Sequence, residues 1–181
     1  VPVLPFPARA VAPWERDGYE PSVVGARARA LRAWGQGPAV VVASVAALLR
    51  LLPPVGTHLG DPVELKQGTT LDLVETTEAL SRMGYERVEA VEGAGQFAAR
   101  GGILDVWASD GAWPVRAELW GDEIESVRRF VIGTGQTLGD AGAVTLFGCR
   151  ELVLGTRAAT VARRALAAKA ATDTEIASDL E

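Results

Sequence analysis

Cysteine and histidine are almost missing from this 181-residue chain, which has only Cys149 and His58. One cysteine excludes an internal disulfide and any multi-cysteine zinc site. One histidine excludes paired-histidine metal centres, and a histidine-dependent triad would have to rest on His58 alone. Lysine is scarce as well, at Lys66 and Lys169 only. Neither closes a glycine-rich loop ahead of Ser or Thr, so the chain lacks the cradle that a nucleotide triphosphatase builds around phosphate. No apolar run approaches the roughly 20 residues that cross a bilayer, and the chain does not open on a basic-then-apolar secretion pattern. A cytoplasmic protein is expected.

The remaining composition is that of a folded domain. An apolar share of 48% with 23% charged is a globular balance. A chain of this length buries roughly 70% of its unfolded surface, which suffices for a core without metal or disulfide. Eighteen basic against 23 acidic residues leave a net charge of −5. That sign counts against a dedicated phosphate-backbone binder. Sixteen of the 18 basic residues are arginine, whose planar fork suits carboxylate contacts at a protein interface.

Periodicity divides the chain into two textures. Residues 1–7 are an extended proline-rich strip. Residues 23–34 follow with a helical pattern that sets Val24, Ala28, Leu31 and Trp34 on one side, with Arg27, Arg29 and Arg32 elsewhere. The β-branched run 39–43 reads as a strand covered on both faces. Ser44 caps a helix over 45–52 that Pro53-Pro54 ends. Helix, buried strand and helix belong to an α/β layered domain. A strand at 63–67 and a helix over 73–83, capped by Asp72 and closed by Gly84, come next. From Tyr85 onward the pattern becomes a meander. Extended segments at 96–100, 103–107, 115–120 and 123–131 are joined by short turns, with Gly121-Asp122 as a two-residue hairpin loop. Gly101-Gly102 is expected to form a bulge. An alanine-rich helix over 157–171 precedes an acidic end.

Most candidate chemistry dissolves on inspection. Gly133-Thr134-Gly135-Gln136-Thr137 has glycines but no lysine, and reads as a turn. Asp122, Glu123 and Glu125 read as a solvated strand face, His58 as an exposed loop histidine, and Cys149 as a small semi-buried filler. One constellation survives. Side chains two apart in a strand share a face, so residues 115–120 set Val115, Ala117 and Leu119 on one side and Arg116, Glu118 and Trp120 on the other. Arginine and tryptophan are frequent energetic anchors of protein interfaces. The plainer alternative is an Arg116–Glu118 surface pair beside a half-buried tryptophan.

Three strings carry a family resemblance: Gly84-Tyr85-Glu86-Arg87-Val88; the run from Gly95-Gln96-Phe97 to Arg100-Gly101-Gly102-Ile103-Leu104-Asp105; and Val115-Arg116-Ala117-Glu118-Leu119-Trp120-Gly121-Asp122-Glu123-Ile124-Glu125-Ser126. In order and spacing they resemble the UvrB-homology module of the bacterial transcription-repair coupling factors (Mfd), and more distantly UvrB. Ala12-Pro13-Trp14-Glu15 and Ala46-Ala47-Leu48-Leu49 fit more loosely. The resemblance implies a RecA-like lobe of degenerate helicase type, bearing a small inserted α+β domain that docks on UvrA. It implies no catalysis in this piece, with ATP and Mg confined to motor domains elsewhere in the family. RNA polymerase and DNA are likewise expected to be partners of other domains. The family's UvrA-contacting positions fall on Arg100, Arg116 and Trp120, the last usually phenylalanine. That overlap moves the interface reading of the 115–120 strand ahead of the plainer one.

The expected architecture is α/β: a partial lobe over 1–60, an inserted UvrA-interaction domain over 62–138, and a return to the lobe with a helix over 140–181. The chain is expected to be an excised piece or a short amino-terminal portion. Its expected function is UvrA recruitment, with a nucleic-acid-binding helicase-accessory module as the alternative.

Overall fold

The computed structural model describes residues 1–8, 20–49, 62–150 and 156–170. The expectations for residues 12–15, for His58, for the end of the helix at 50–52 and for the acidic end lie outside them.

The first texture folds as a small α/β layer. Strand β1 (Val3–Phe6) pairs in parallel with β2 (Val40–Ala43) across helix α1 (Pro21–Gln36), and α2 (Val45–Leu48) follows. The proline-rich opening is thus a strand, not merely an extended strip. β1 has only β2 as a described neighbour, and at a sheet edge a missing N–H is tolerated. Ser44 caps α2 by accepting from the Ala47 amide at 3.3 Å. Phe6, Ala30 and Ala47 are buried together, with Leu4, Leu31, Val41 and Ala43 packed around them.

Two expectations for α1 and one for β2 need correction. Trp34 is exposed, and it is Arg27 that lies inside, 1% exposed. Arg27 Nη1 donates to the Pro7 carbonyl at 2.7 Å while its guanidinium lies 4.0 Å from the Phe6 ring centre. A planar cation can stack on an aromatic face as an apolar side chain would, a possibility that hydrophobic periodicity does not register. Strand β2 is covered on one face only among the described residues: Val41 and Ala43 pack inward, whereas Val40 and Val42 are exposed.

The second texture contains β3 (Val63–Leu65), α3 (Leu73–Arg82), β4 (Glu86–Arg87), β5 (Gln96–Arg100), β6 (Ile103–Val106), β7 (Val115–Trp120), β8 (Glu123–Phe130), β9 (Thr137–Asp140), β10 (Val144–Leu146) and α4 (Thr156–Ala170). Asp72 accepts from the Glu75 amide at 2.9 Å and so caps α3, and Gly84 turns the chain out of the helix at φ +92. Strands β4 to β9 form a six-stranded sheet in chain order. The pairs from β5 to β9 are antiparallel, which is the meander read from the sequence. β3 and β10 form a separate antiparallel pair. Leu65, Leu80, Phe97, Leu104, Ala117, Ile124 and Leu146 are fully buried between these elements.

The bulge is misplaced in the sequence reading. Arg100 pairs directly with Ile103, so Gly101-Gly102 is a two-residue hairpin turn, with Gly101 at φ +57. The irregularities lie elsewhere: in β8, where Glu118 pairs with Ser126 and Leu119 with Ile124, leaving Glu125 as the extra residue, and in β9, where Arg129 pairs with Gly139 and Phe130 with Thr137. Strands β9 and β10 lacked a clear alternating pattern and were not anticipated.

α1 rests on the second part. Gly25 approaches the β6–β7 loop so closely that a Cβ there would lie 2.4 Å from Ser109 Oγ. Arg29 pairs with Asp110 in the same loop.

Candidate protein-docking face

Strand alternation and register together define one face of the large sheet. On β7, Val115 and Ala117 are buried and Leu119 packs against the core, so Arg116, Glu118 and Trp120 point the other way. Register carries that face across two more strands. Arg116 pairs with Asp105 and Glu118 with Ile103 on β6, and Ile103 pairs with Arg100 on β5. Arg100, Ile103 and Glu118 therefore form a row across three strands, with Trp120 one step further at the end of β7. The 101–102 turn beside Trp120 carries no side chains, which leaves the indole open on that flank.

The three residues singled out from sequence share this face but not the same condition. Trp120 is 78% exposed. Arg100 is exposed, and its side chain makes no hydrogen bond or ion pair with any described residue. Arg116 is engaged: Nε donates to Asp105 Oδ1 at 2.6 Å and Nη2 to Oδ2 at 2.7 Å. Its guanidinium lies 5.1 Å from the Phe130 ring centre. The bond to Asp105 is the main reason that the Arg116 pKa is raised above an ordinary arginine's, against a smaller opposing effect of burial.

The surface pair between Arg116 and Glu118 that the plainer alternative required does not form. Glu118 accepts from Ser126 Oγ at 2.8 Å and lies 3.7 Å from Arg128. Residues two apart on one strand are neighbours on a face, but cross-strand neighbours are closer, and here those are Asp105 and Ser126. Asp105, 5% exposed, is the functional candidate that sequence reasoning missed. A charged residue inside the apolar string Ile103-Leu104-Asp105-Val106 was the available signal.

The same face ends differently at its far side. Val91, Ala98 and Phe130 are buried there, with Val88 and Trp107 against them. Trp107 Nε1 donates to the Gly111 carbonyl at 2.9 Å. The sheet thus has its main core on one face, and on the other a small apolar cluster grading into an open patch around Arg100, Ile103 and Trp120.

Most of the other candidates lie apart from this face, although Glu123, the cross-strand partner of Trp120, lies on it. Cys149 is more deeply buried than a semi-buried filler, and burial pushes its thiol up to about 12. Tyr85, beside it, donates to the Phe147 carbonyl at 2.8 Å and accepts from the Ser109 amide at 3.2 Å, and burial raises its pKa as well. Asp122, Glu123 and Glu125 are all exposed, and residues 133–135 lie in the turn between β8 and β9. Among the described residues no group of three or more His, Cys, Asp or Glu could hold a metal ion, and no helix is long and apolar enough to cross a membrane.

Known proteins resemble the chain in the same region. The family described as the UvrB interaction domain matches residues 63–152. The transcription-repair-coupling factor of Mycobacterium tuberculosis is 37% identical over an alignment covering 97% of this chain. Those of Myxococcus xanthus and Bacillus subtilis are 36% and 32% identical over 84% and 66% of it. The chain spans 15%, 13% and 10% of these three relatives, respectively.

Proposed function

Since the chain belongs to the transcription-repair-coupling factor family and carries a UvrB interaction domain over residues 63–152, we propose that it is a non-catalytic module that recruits UvrA. In this reading the module links removal of stalled RNA polymerase to nucleotide excision repair. Polymerase displacement, DNA translocation and ATP use fall to other parts of the full-length family polypeptide. Residues 1–60 belong to a RecA-like lobe, and the inserted docking domain runs from 62 past the expected 138 to include β10, which pairs with β3.

One observation carries the proposal: a guanidinium without a partner among the described residues, Arg100, and a largely exposed indole, Trp120, are displayed on one face of a well-packed sheet. A tryptophan left 78% in water contributes little to its own fold. On burial by a partner its large rigid ring becomes an anchor. Ile103 between them extends the apolar patch, and Arg116 adds donors at its edge. Rigid strands hold all four, which lowers the ordering cost of binding.

Size-exclusion chromatography of the chain mixed with UvrA tests the reading. Co-elution in a stoichiometric complex is the expected result. Separate elution at micromolar concentrations would refute it.

A further inference from the structure

We infer that Asp105 is a positioning residue of the docking face: it fixes Arg116 as a preset, charge-compensated hydrogen-bond donor, leaving Arg100 as the cation that selects an acidic partner. The inference rests on the docking reading above and specifies the partner chemistry at that site.

The division of labour follows from donor geometry. A guanidinium has five N–H groups. Two of those on Arg116 point into the Asp105 carboxylate, through Nε and Nη2. Nη1 and one N–H of Nη2 remain for a partner. The Asp105 side chain is 7% exposed and that of Arg116 31%, so the acid lies beneath and the guanidinium above it, at the surface. A carboxylate approaching Arg116 from outside meets a charge that Asp105 already balances at hydrogen-bonding distance. Its attraction is correspondingly weak, and a neutral acceptor such as a backbone carbonyl suits the remaining donors better.

Arg100 has no such internal partner among the described residues, so it retains full attraction for an acidic group. Between the two guanidinium groups lies Ile103, 38% exposed, with Trp120 beyond. The matching partner surface is therefore an apolar side chain flanked by one carboxylate, with a main-chain carbonyl on the other flank. Holding a long arginine in one rotamer before binding removes an ordering cost that a free arginine would meet on association.

A double-mutant cycle on UvrA affinity tests this, using Asp105→Asn, which keeps the side-chain size and one acceptor, and Arg116→Gln. Each single change is expected to weaken binding about three- to tenfold, the range for fixing one such side chain. The double variant should bind no more weakly than Arg116→Gln alone, because Asp105 acts only through Arg116. A purely structural role for Asp105 would instead give additive losses. Salt supplies a second readout: Arg100→Gln should flatten the dependence of affinity on ionic strength, and the charge-balanced double variant Asp105→Asn, Arg116→Gln should leave it nearly unchanged. Additive losses, or an effect of the double variant on the salt dependence as large as that of Arg100→Gln, overturn the inference while leaving UvrA docking intact. If the unaltered chain fails to bind UvrA, both readings fall.

Discussion

Asp105 and Arg116 face each other across β6 and β7 and share two hydrogen bonds, of 2.6 and 2.7 Å, on the sheet face that also carries Arg100 and Trp120. The acid is almost fully buried and the base only partly. Loss of either partner is therefore unequal. Arg116→Ala leaves a buried carboxylate uncompensated and should cost about 1–3 kcal/mol or more in urea unfolding. Adding Asp105→Asn to Arg116→Ala should restore part of that loss. A double variant less stable than Arg116→Ala would contradict the burial argument.

Trp120→Ala should leave folding stability within about 0.5 kcal/mol of the parent, because the indole is 78% exposed and fills no cavity. The same change should weaken UvrA binding strongly. Parallel denaturation and binding measurements separate the two effects.

Tyr85 joins three segments through one hydroxyl, donating to the Phe147 carbonyl and accepting from the Ser109 amide. Tyr85→Phe keeps the ring but leaves the buried Ser109 amide without its acceptor, while the Phe147 carbonyl keeps the Ser109 hydroxyl at 3.3 Å. A loss of about 1–3 kcal/mol in urea unfolding is expected.

Stability should also fall at alkaline pH. Burial raises the Cys149 thiol from an ordinary 9.0 to about 12, so the folded chain holds that proton more tightly than the unfolded chain. The contribution is present in full below pH 9.0 and is lost between there and about 12. Tyr85, whose pKa is raised in the same direction, adds a loss beginning above its ordinary 10.0. Cys149→Ala should reduce the fall in unfolding free energy between pH 8 and pH 10.5. The thiol should also react slowly with iodoacetamide at pH 8, since little thiolate forms.

Gly25 sets helix propensity against packing. Alanine in a helix interior is normally favoured over glycine by about 1 kcal/mol. Here its Cβ would lie 2.4 Å from Ser109 Oγ and 2.8 Å from the Asp110 backbone nitrogen. Gly25→Ala should therefore destabilise, by about 1–3 kcal/mol for overpacking. A stabilised variant would mean that α1 does not rest on that loop.

Much of the proposed docking face was legible in the sequence because strand alternation is strict. Val115, Ala117 and Leu119 against Arg116, Glu118 and Trp120 can be separated by counting in twos, and the Gly121-Asp122 turn marks where the strand ends. What alternation cannot supply is register. Neither the Asp105–Arg116 pair nor the place of Arg100 in one row with Ile103 follows from any single strand. Gly101-Gly102 illustrates the same limit: a glycine pair suits a bulge or a two-residue turn equally, and only the Arg100–Ile103 pairing decides. Arg27 and Trp34 misled for a different reason, since side-chain type was taken for burial although a stacked guanidinium buries well and a tryptophan at a helix end need not.

The central claim is tested most directly by calorimetric titration of UvrA with the chain and its Arg100→Ala, Arg116→Ala and Trp120→Ala variants, with each variant first shown to be folded at the assay temperature. The account predicts one-to-one binding by the parent and a loss of about 2 kcal/mol or more for Trp120→Ala, about thirtyfold in affinity, with clear losses for both arginine variants. Three folded variants that bind UvrA as tightly as the parent would contradict it.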